Sequence, residues 1–167
     1  MNLYLLRHGI AVDRGSPYYP NDDDRPLTPE GQKKMLQAVR GMKAVGLAFD
    51  CILASPVLRA KQTAEIVAGV FDAMNILEFS PHLSTAGDAR SLVKQINDQY
   101  GDRRDILLAG HEPYMSSLVS RLAGGDQGLS VDFKKGSLCL LQIETLRWGK
   151  CATLCWLLTP GQLRAIR

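Results

Sequence analysis

Three short blocks of the 167-residue sequence hold the side chains best suited to handling a small anion: Arg7-His8-Gly9, Ser55-Pro56 followed by Arg59, and Gly110-His111-Glu112. Arginine presents a planar fork of N–H donors that matches phosphate oxygens in pairs, and two such forks spread the charge that builds up during phosphoryl transfer. Imidazole attacks phosphorus with a lone pair that needs no prior deprotonation near neutrality, since its free pKa is about 6.5. Neighbouring arginines favour that neutral form. A second imidazole, protonated in the field of a phosphate dianion, can donate to the oxygens that gain charge. Two arginines and two histidines therefore point to phosphoryl chemistry, provided the fold brings them to one place.

The elements around the blocks predict that it does. Apolar runs at 3–6, 51–54 and 105–109 stop at His8-Gly9, Ser55-Pro56 and Gly110-His111, and they are apolar on both faces, as strands covered by helices on both sides must be. Helical spacing follows each. Thr28-Pro29 opens a helix carrying Met35, Leu36, Val39 and Met42, with Thr28 as N-cap; residues 57–71 repeat the pattern, and Leu92, Val93 and Ile96 mark a third helix. Glu112-Pro113 begins a fourth that runs to Leu122 and stops at Gly124-Gly125. Runs at 137–143 and 151–158, joined near Trp148-Gly149, read as a hairpin. The expected fold is α/β, a three-layer α/β/α sandwich with a mostly parallel sheet and an antiparallel strand near the C-terminus. Such sheets place ligands at the carboxyl ends of their strands, where all three blocks fall.

The motifs Leu6-Arg7-His8-Gly9, residues 55–64 (SPVLRAKQTA) and Gly110-His111-Glu112-Pro113 resemble the histidine phosphatase, or phosphoglycerate-mutase-like, superfamily. The short length, Arg25-Pro26-Leu27-Thr28 ahead of Gly31 and the closing Leu158-Thr159-Pro160 are similar to its bacterial phosphohistidine phosphatases. The resemblance implies that His8 is the nucleophile, Arg7 and Arg59 the phosphate clamp, and His111 the second pocket histidine, with Ser55 near the phosphate. It implies no metal and no cofactor. Larger members supply a carboxylate that protonates the leaving oxygen, and residues 78–88 here offer no glutamate in the usual place; Glu78, Asp88 and Glu112 are the alternatives. An alkoxide needs a proton donor, whereas an imidazole of pKa about 6.5 leaves readily, so this departure favours a P–N substrate. The expected activity is therefore that of a phosphohistidine phosphatase acting on a phosphorylated protein such as a histidine-phosphotransfer domain. A phosphatase of small phosphomonoesters or pyrophosphates, and a non-catalytic phospho-ligand module, stand as alternatives.

Composition narrows the classes. One domain over 1–167 with its own core is expected from the length. Hydrophobic residues make up 46% and charged residues 22%, which excludes a disordered, collagen-like or coiled-coil chain. A net charge of +3 predicts no nucleic-acid partner, and no apolar run approaches the length of a membrane span, so a cytoplasmic protein is expected; a shallow open site acting on protein substrates suits a monomer. Several residues carry plainer readings. Ser55 before Pro56 also suits a helix N-cap, and Glu112 a first-turn carboxylate. His82 is expected at the surface or the pocket rim. Asp22-Asp23-Asp24 reads as a solvated loop rather than a metal site, and residues 13–24, with Tyr18 and Tyr19, as the substrate entrance. Cys51, Cys139, Cys151 and Cys155 are expected as reduced core thiols.

Overall fold

The protein is described from a computed structural model, which covers residues 1–166. Its six strands are β1 (Asn2–Arg7), β2 (Cys51–Ala54), β3 (Leu77–Phe79), β4 (Asp105–Gly110), β5 (Leu138–Ile143) and β6 (Ala152–Leu158), paired in the order β3-β2-β4-β1-β5-β6. β3, β2, β4 and β1 are parallel, while β5 runs against both β1 and β6. The expected hairpin is thus present, and only β5 points the other way.

Alternation along the strands divides the core into two layers. Leu3 and Leu5 of β1, with Leu53, Ile106 and Leu108, pack against α3 (Ala89–Tyr100) and α4 (Tyr114–Val119) through Leu92, Ile96, Met115 and Leu118. Tyr4 and Leu6, with Ile52, Leu107 and Ala109, face α1 (Pro29–Ala44), α2 (Leu58–Phe71) and α5 (Pro160–Ala165) through Met35, Val39, Val67 and Leu163. This is the three-layer α/β/α arrangement. None of the helices among the described residues is long and apolar enough to cross a membrane.

Two elements lacked a clear sequence signal. β3 is three half-exposed or exposed residues at the sheet edge, too short to form an apolar run. α5 is six residues long and is started by a capping box between Thr159 and Gln162 with Pro160 in its first turn, features that also suit a turn.

What matters most for the site is how the chain after β1 is held. Thr28 caps α1 as expected, its hydroxyl accepting from the Gly31 N–H at 2.9 Å. The Thr28 N–H donates to Ile10 O at 3.0 Å, so α1 starts directly against the strand exit. Gly31 permits this approach, because a Cβ there would stand 2.0 Å from Ile10 O. Residues 12–26 form a strap closed at its base by the Ala11–Leu27 bridge and the Val12 N–H bond to Pro26 O.

Candidate active site

Because β1, β2 and β4 are parallel neighbours, Arg7, Ala54 and Gly110 end them on one edge of the sheet. His8, Ser55 and His111 are the residues that follow, and Arg59 stands in the first turn of α2. Arg7, His8, Arg59 and His111 line one cleft of about 380 Å³, together with Asp13, Arg14, Arg25, Glu112 and Lys135. Larger hollows beside Met1 and Lys150 (about 540 Å³) and between α1 and α2 (about 580 Å³) contain neither imidazole nor guanidinium, so size does not mark the site.

His8 is 6% exposed. Its Nδ1 lies 2.7 Å from Gly9 O, which can only accept, so Nδ1 carries the proton and Nε2 of the neutral ring keeps its lone pair. The turn is fixed from α2: Gly9 N–H donates to Thr63 Oγ1 at 3.1 Å, and that hydroxyl donates to Arg59 O at 2.7 Å. Arg59 Nε–H reaches His8 Nε2 at 3.3 Å. Burial pulls the His8 pKa down to about 3; the Gly9 bond opposes this, and the His111, Arg59 and Arg7 charges add to it.

His111 is 2% exposed, with its ring centroid 5.2 Å from that of His8. Its Nε2 pairs with Ser55 Oγ at 2.8 Å, and its buried Nδ1 has no partner among the described residues. Burial lowers its pKa to about 4, helped by Arg59, Arg25 and Arg7 and opposed by Asp22. Both imidazoles are neutral near pH 7. Ser55 is not the helix N-cap: Val57 holds that position, and the Ser55 hydroxyl, while accepting from the Val57 N–H at 3.2 Å, is committed to His111.

The two guanidiniums are held differently. Arg7 donates from Nη1 to Phe133 O at 2.6 Å and leaves a buried Nε unpartnered among the described residues. Arg59, 2% exposed, donates from Nη1 to Asp22 O at 2.8 Å and from Nη2 to Asp22 Oδ2 at 3.0 Å. Burial lowers the pKa of both; Glu112 and Asp132 oppose this at Arg7, and Asp22 does so at Arg59.

The acidic run is therefore more than a solvated loop. Asp22 folds inward from a short 3₁₀ turn (Asp22–Asp24) to pair with Arg14, Arg25 and Arg59, while Asp23 and Asp24 remain exposed. Slight desolvation would raise its pKa, but the Arg25 hydrogen bond and the charges of Arg59, Arg25 and Arg14 hold it below the usual carboxylate range. Its neighbours in sequence are also aspartates, so nothing in the run distinguished it. Arg25 was visible as part of a motif but carried no assigned role, and Lys135, from the loop before β5, gave no signal.

Of the three candidate proton donors only Glu112 lines the cleft, and its Oε1 accepts from the Ser116 N–H at 2.8 Å. Glu78 sits on the edge strand β3 and bonds the Tyr100 hydroxyl, and Asp88 caps α3 through the Ser91 N–H. His82 is half-buried on a 3₁₀ turn (Pro81–Leu83) and does not line the cleft. Asp13 and Arg14 bring the strap into the cleft wall, whereas Tyr18 is 86% exposed. Cys51 and Cys139 are buried core thiols, pushed up to about 12 chiefly by burial, but Cys151 is partly exposed and Cys155 exposed, contrary to expectation.

The chain is similar to several known proteins. The family model described as histidine phosphatase superfamily (branch 1) matches residues 3–83. An uncharacterized protein of Picosynechococcus sp. is 33% identical over 154 residues, 88% of each chain. Phosphohistidine phosphatase SixA of Escherichia coli is 28% identical over 128 residues, covering 75% of this chain and 76% of its own. Among solved structures, the protein histidine phosphatase SixA complexed with tungstate superposes with a TM-score of 0.81 at 23% identity, over 98% of this chain and 99% of its own. The alpha-ribazole phosphatase of Shigella flexneri superposes at 0.70 and 20% identity, over 96% and 97%. By the family model and these sequence relatives, the chain belongs to the histidine phosphatase superfamily.

Proposed function

We propose that the protein is a phosphatase that removes the phosphoryl group from phosphohistidine on a protein, through a phosphohistidine intermediate on His8. The observation that carries the reading is the His8 ring: Nδ1–H is spent on Gly9 O, and Nε2 offers its lone pair into a cleft that also holds Arg7 and Arg59. The His8 Nε2–P bond forms as the substrate's P–N bond breaks, and the departing ring, protonated on its other nitrogen, leaves as neutral imidazole. Water then forms a P–O bond as the Nε2–P bond breaks, giving inorganic phosphate and the free ring, with a water proton passing to solvent. Arg7 and Arg59 grip the phosphoryl oxygens, the Arg59 Nε–H exchanging Nε2 for an oxygen as the group arrives. His111, aligned by Ser55, gains a proton in the field of the dianion and donates from Nδ1 to the group in flight. The nucleophile needs no deprotonation, so no metal-bound base enters.

Cleft residues bear on the leaving group. Glu78 and Asp88 are occupied elsewhere, which disfavours an alkoxide that must be protonated as it leaves. Glu112 and Asp13 do line the cleft, and they are the observation that keeps small phosphomonoesters as the second reading. A panel of phosphohistidine protein, sugar phosphates and nucleotides at matched concentration separates the two. His8→Ala is expected to abolish both phosphate release and acid-labile labelling by substrate; normal turnover in that variant sinks the mechanism, and absence of phosphate release in the unaltered protein leaves a binding module.

A further inference from the structure

Guanidinium has two edges that can bind an oxyanion, the Nη1–Nη2 end and the Nε–Nη2 side. In Arg59 the end is filled: Nη1 donates to the carbonyl and Nη2 to the carboxylate of one residue, Asp22. The side edge is what remains, and its Nε–H already points at His8 Nε2 from 3.3 Å. The other oxygen of Asp22, Oδ1, accepts from Arg14 Nε at 3.1 Å and from Arg25 Nε at 3.0 Å, so the carboxylate is itself fixed from behind. The strap that carries it is pinned to the same helix one turn on, where the Leu27 N–H donates to Gln62 Oε1 at 2.7 Å.

From this arrangement we infer that Asp22 is a positioning residue for phosphoryl transfer: it holds the end of the Arg59 guanidinium so that the Nε–Nη2 side faces the phosphoryl group on His8. The inference deepens the proposed function and rests on its reading of His8 and Arg59. Asp22 does not compete with the phosphoryl group, because it uses the edge turned away from the nucleophile. Nor does it supply a proton, since three guanidiniums keep it ionised. Arg59 is fully buried on a long, flexible stem, and its plane would have several rotamers to choose from without a partner at its end. Displacement of a transition-state contact by about 1 Å is enough to lower turnover about 100-fold.

The test is a double-mutant cycle read by steady-state kinetics on a phosphohistidine protein, with Asp22→Ala, Arg59→Ala and the pair combined, and with Asp22→Asn as a variant that keeps the shape and an acceptor oxygen. Asp22→Ala is expected to lower kcat by about 10- to 100-fold with little change in KM, and Asp22→Asn to recover part of the loss. In the Arg59→Ala background the same Asp22→Ala change is expected to alter kcat less than about twofold, because its effect passes through Arg59. Losses that multiply independently would overturn the inference, as would an Asp22→Ala enzyme that turns over faster than the original. Undiminished turnover in Arg59→Ala alone would instead overturn the reading of the phosphate clamp, and the inference with it, and so is told apart from failure of the Asp22 step.

Discussion

Lowering the pH from 7.5 to 4.5 is expected to remove about 5 kcal/mol of folding stability through His8 and His111 alone. In the unfolded chain both rings titrate near 6.5. In the folded protein burial holds them at about 3 and about 4. Both folded values lie below the unfolded one, so the unfolded state binds the extra protons; the stabilisation is complete above pH 6.5 and drains away as the pH falls toward the folded values. At pH 4.5 each ring is about two pH units below its unfolded pKa and still neutral when folded, which at 1.36 kcal/mol per unit gives about 2.5 kcal/mol for each. The sum is a large share of the 5–15 kcal/mol typical of a domain. Urea unfolding followed by circular dichroism at pH 7.5, 6.5, 5.5 and 4.5 measures it, in the original protein and in His8→Gln/His111→Gln. Carboxylates titrate in both proteins and drop out of the difference. The double variant should lose about 5 kcal/mol less over the range. Parallel curves would refute the argument, since they would mean that the rings take up their protons without unfolding.

Two further outcomes follow from local geometry. Gly31→Ala, which in an ordinary helix interior adds up to about 1 kcal/mol, should here destabilise and slow turnover, because the new Cβ would meet Ile10 O at 2.0 Å and push α1 off the strand exit beside His8; an unchanged or raised melting temperature contradicts the close approach. Under native conditions a water-soluble disulfide reagent should modify Cys155 first and Cys151 more slowly, and reach Cys51 and Cys139 only after denaturation, since those two are buried and their thiolates strongly disfavoured. Four equal rates would show that the sheet opens far more readily than its packing implies.

The sheet, and the gathering of Arg7, His8, Arg59 and His111 beside Ser55, were legible because each signal was local. An apolar run that ends at a polar dipeptide marks both a strand and its carboxyl end, and in a parallel sheet those ends share an edge. Asp22 was not legible, because its role depends on which of three adjacent aspartates turns inward; that is decided by the strap's closure at Ala11–Leu27 and by arginines three and thirty-seven residues away. Lys135 escaped for a related reason. It reaches the cleft only because Gly136, at φ 82°, folds its loop back so that one N–H serves both Arg7 O and His8 O. Ser55 shows the converse: the sequence left cap and site equally open, and the fold gives the N-cap position to Val57 and pairs the Ser55 hydroxyl with His111.

Charge explains why both imidazoles must be buried as neutral rings. Arg7, Arg14, Arg25, Arg59 and Lys135 face the cleft, against Asp13, Glu112 and the inward Asp22. With both histidines neutral, two positive charges are in excess, the charge of one phosphoryl dianion. Protonating either ring in the free cleft would raise the excess to three positive charges and would remove a lone pair or a hydrogen-bond acceptor at the same stroke. Desolvation that lowers the histidine pKa therefore does two things in one place: it leaves the Nε2 lone pair of His8 unprotonated, and it keeps the cleft's excess at two positive charges, which equals the charge of the phosphoryl group in the proposed reaction. The acid lability worked out above is the thermodynamic counterpart of that design, because the same unfavourable charging that keeps the free cleft neutral at its imidazoles must be met in full when protons are forced onto them.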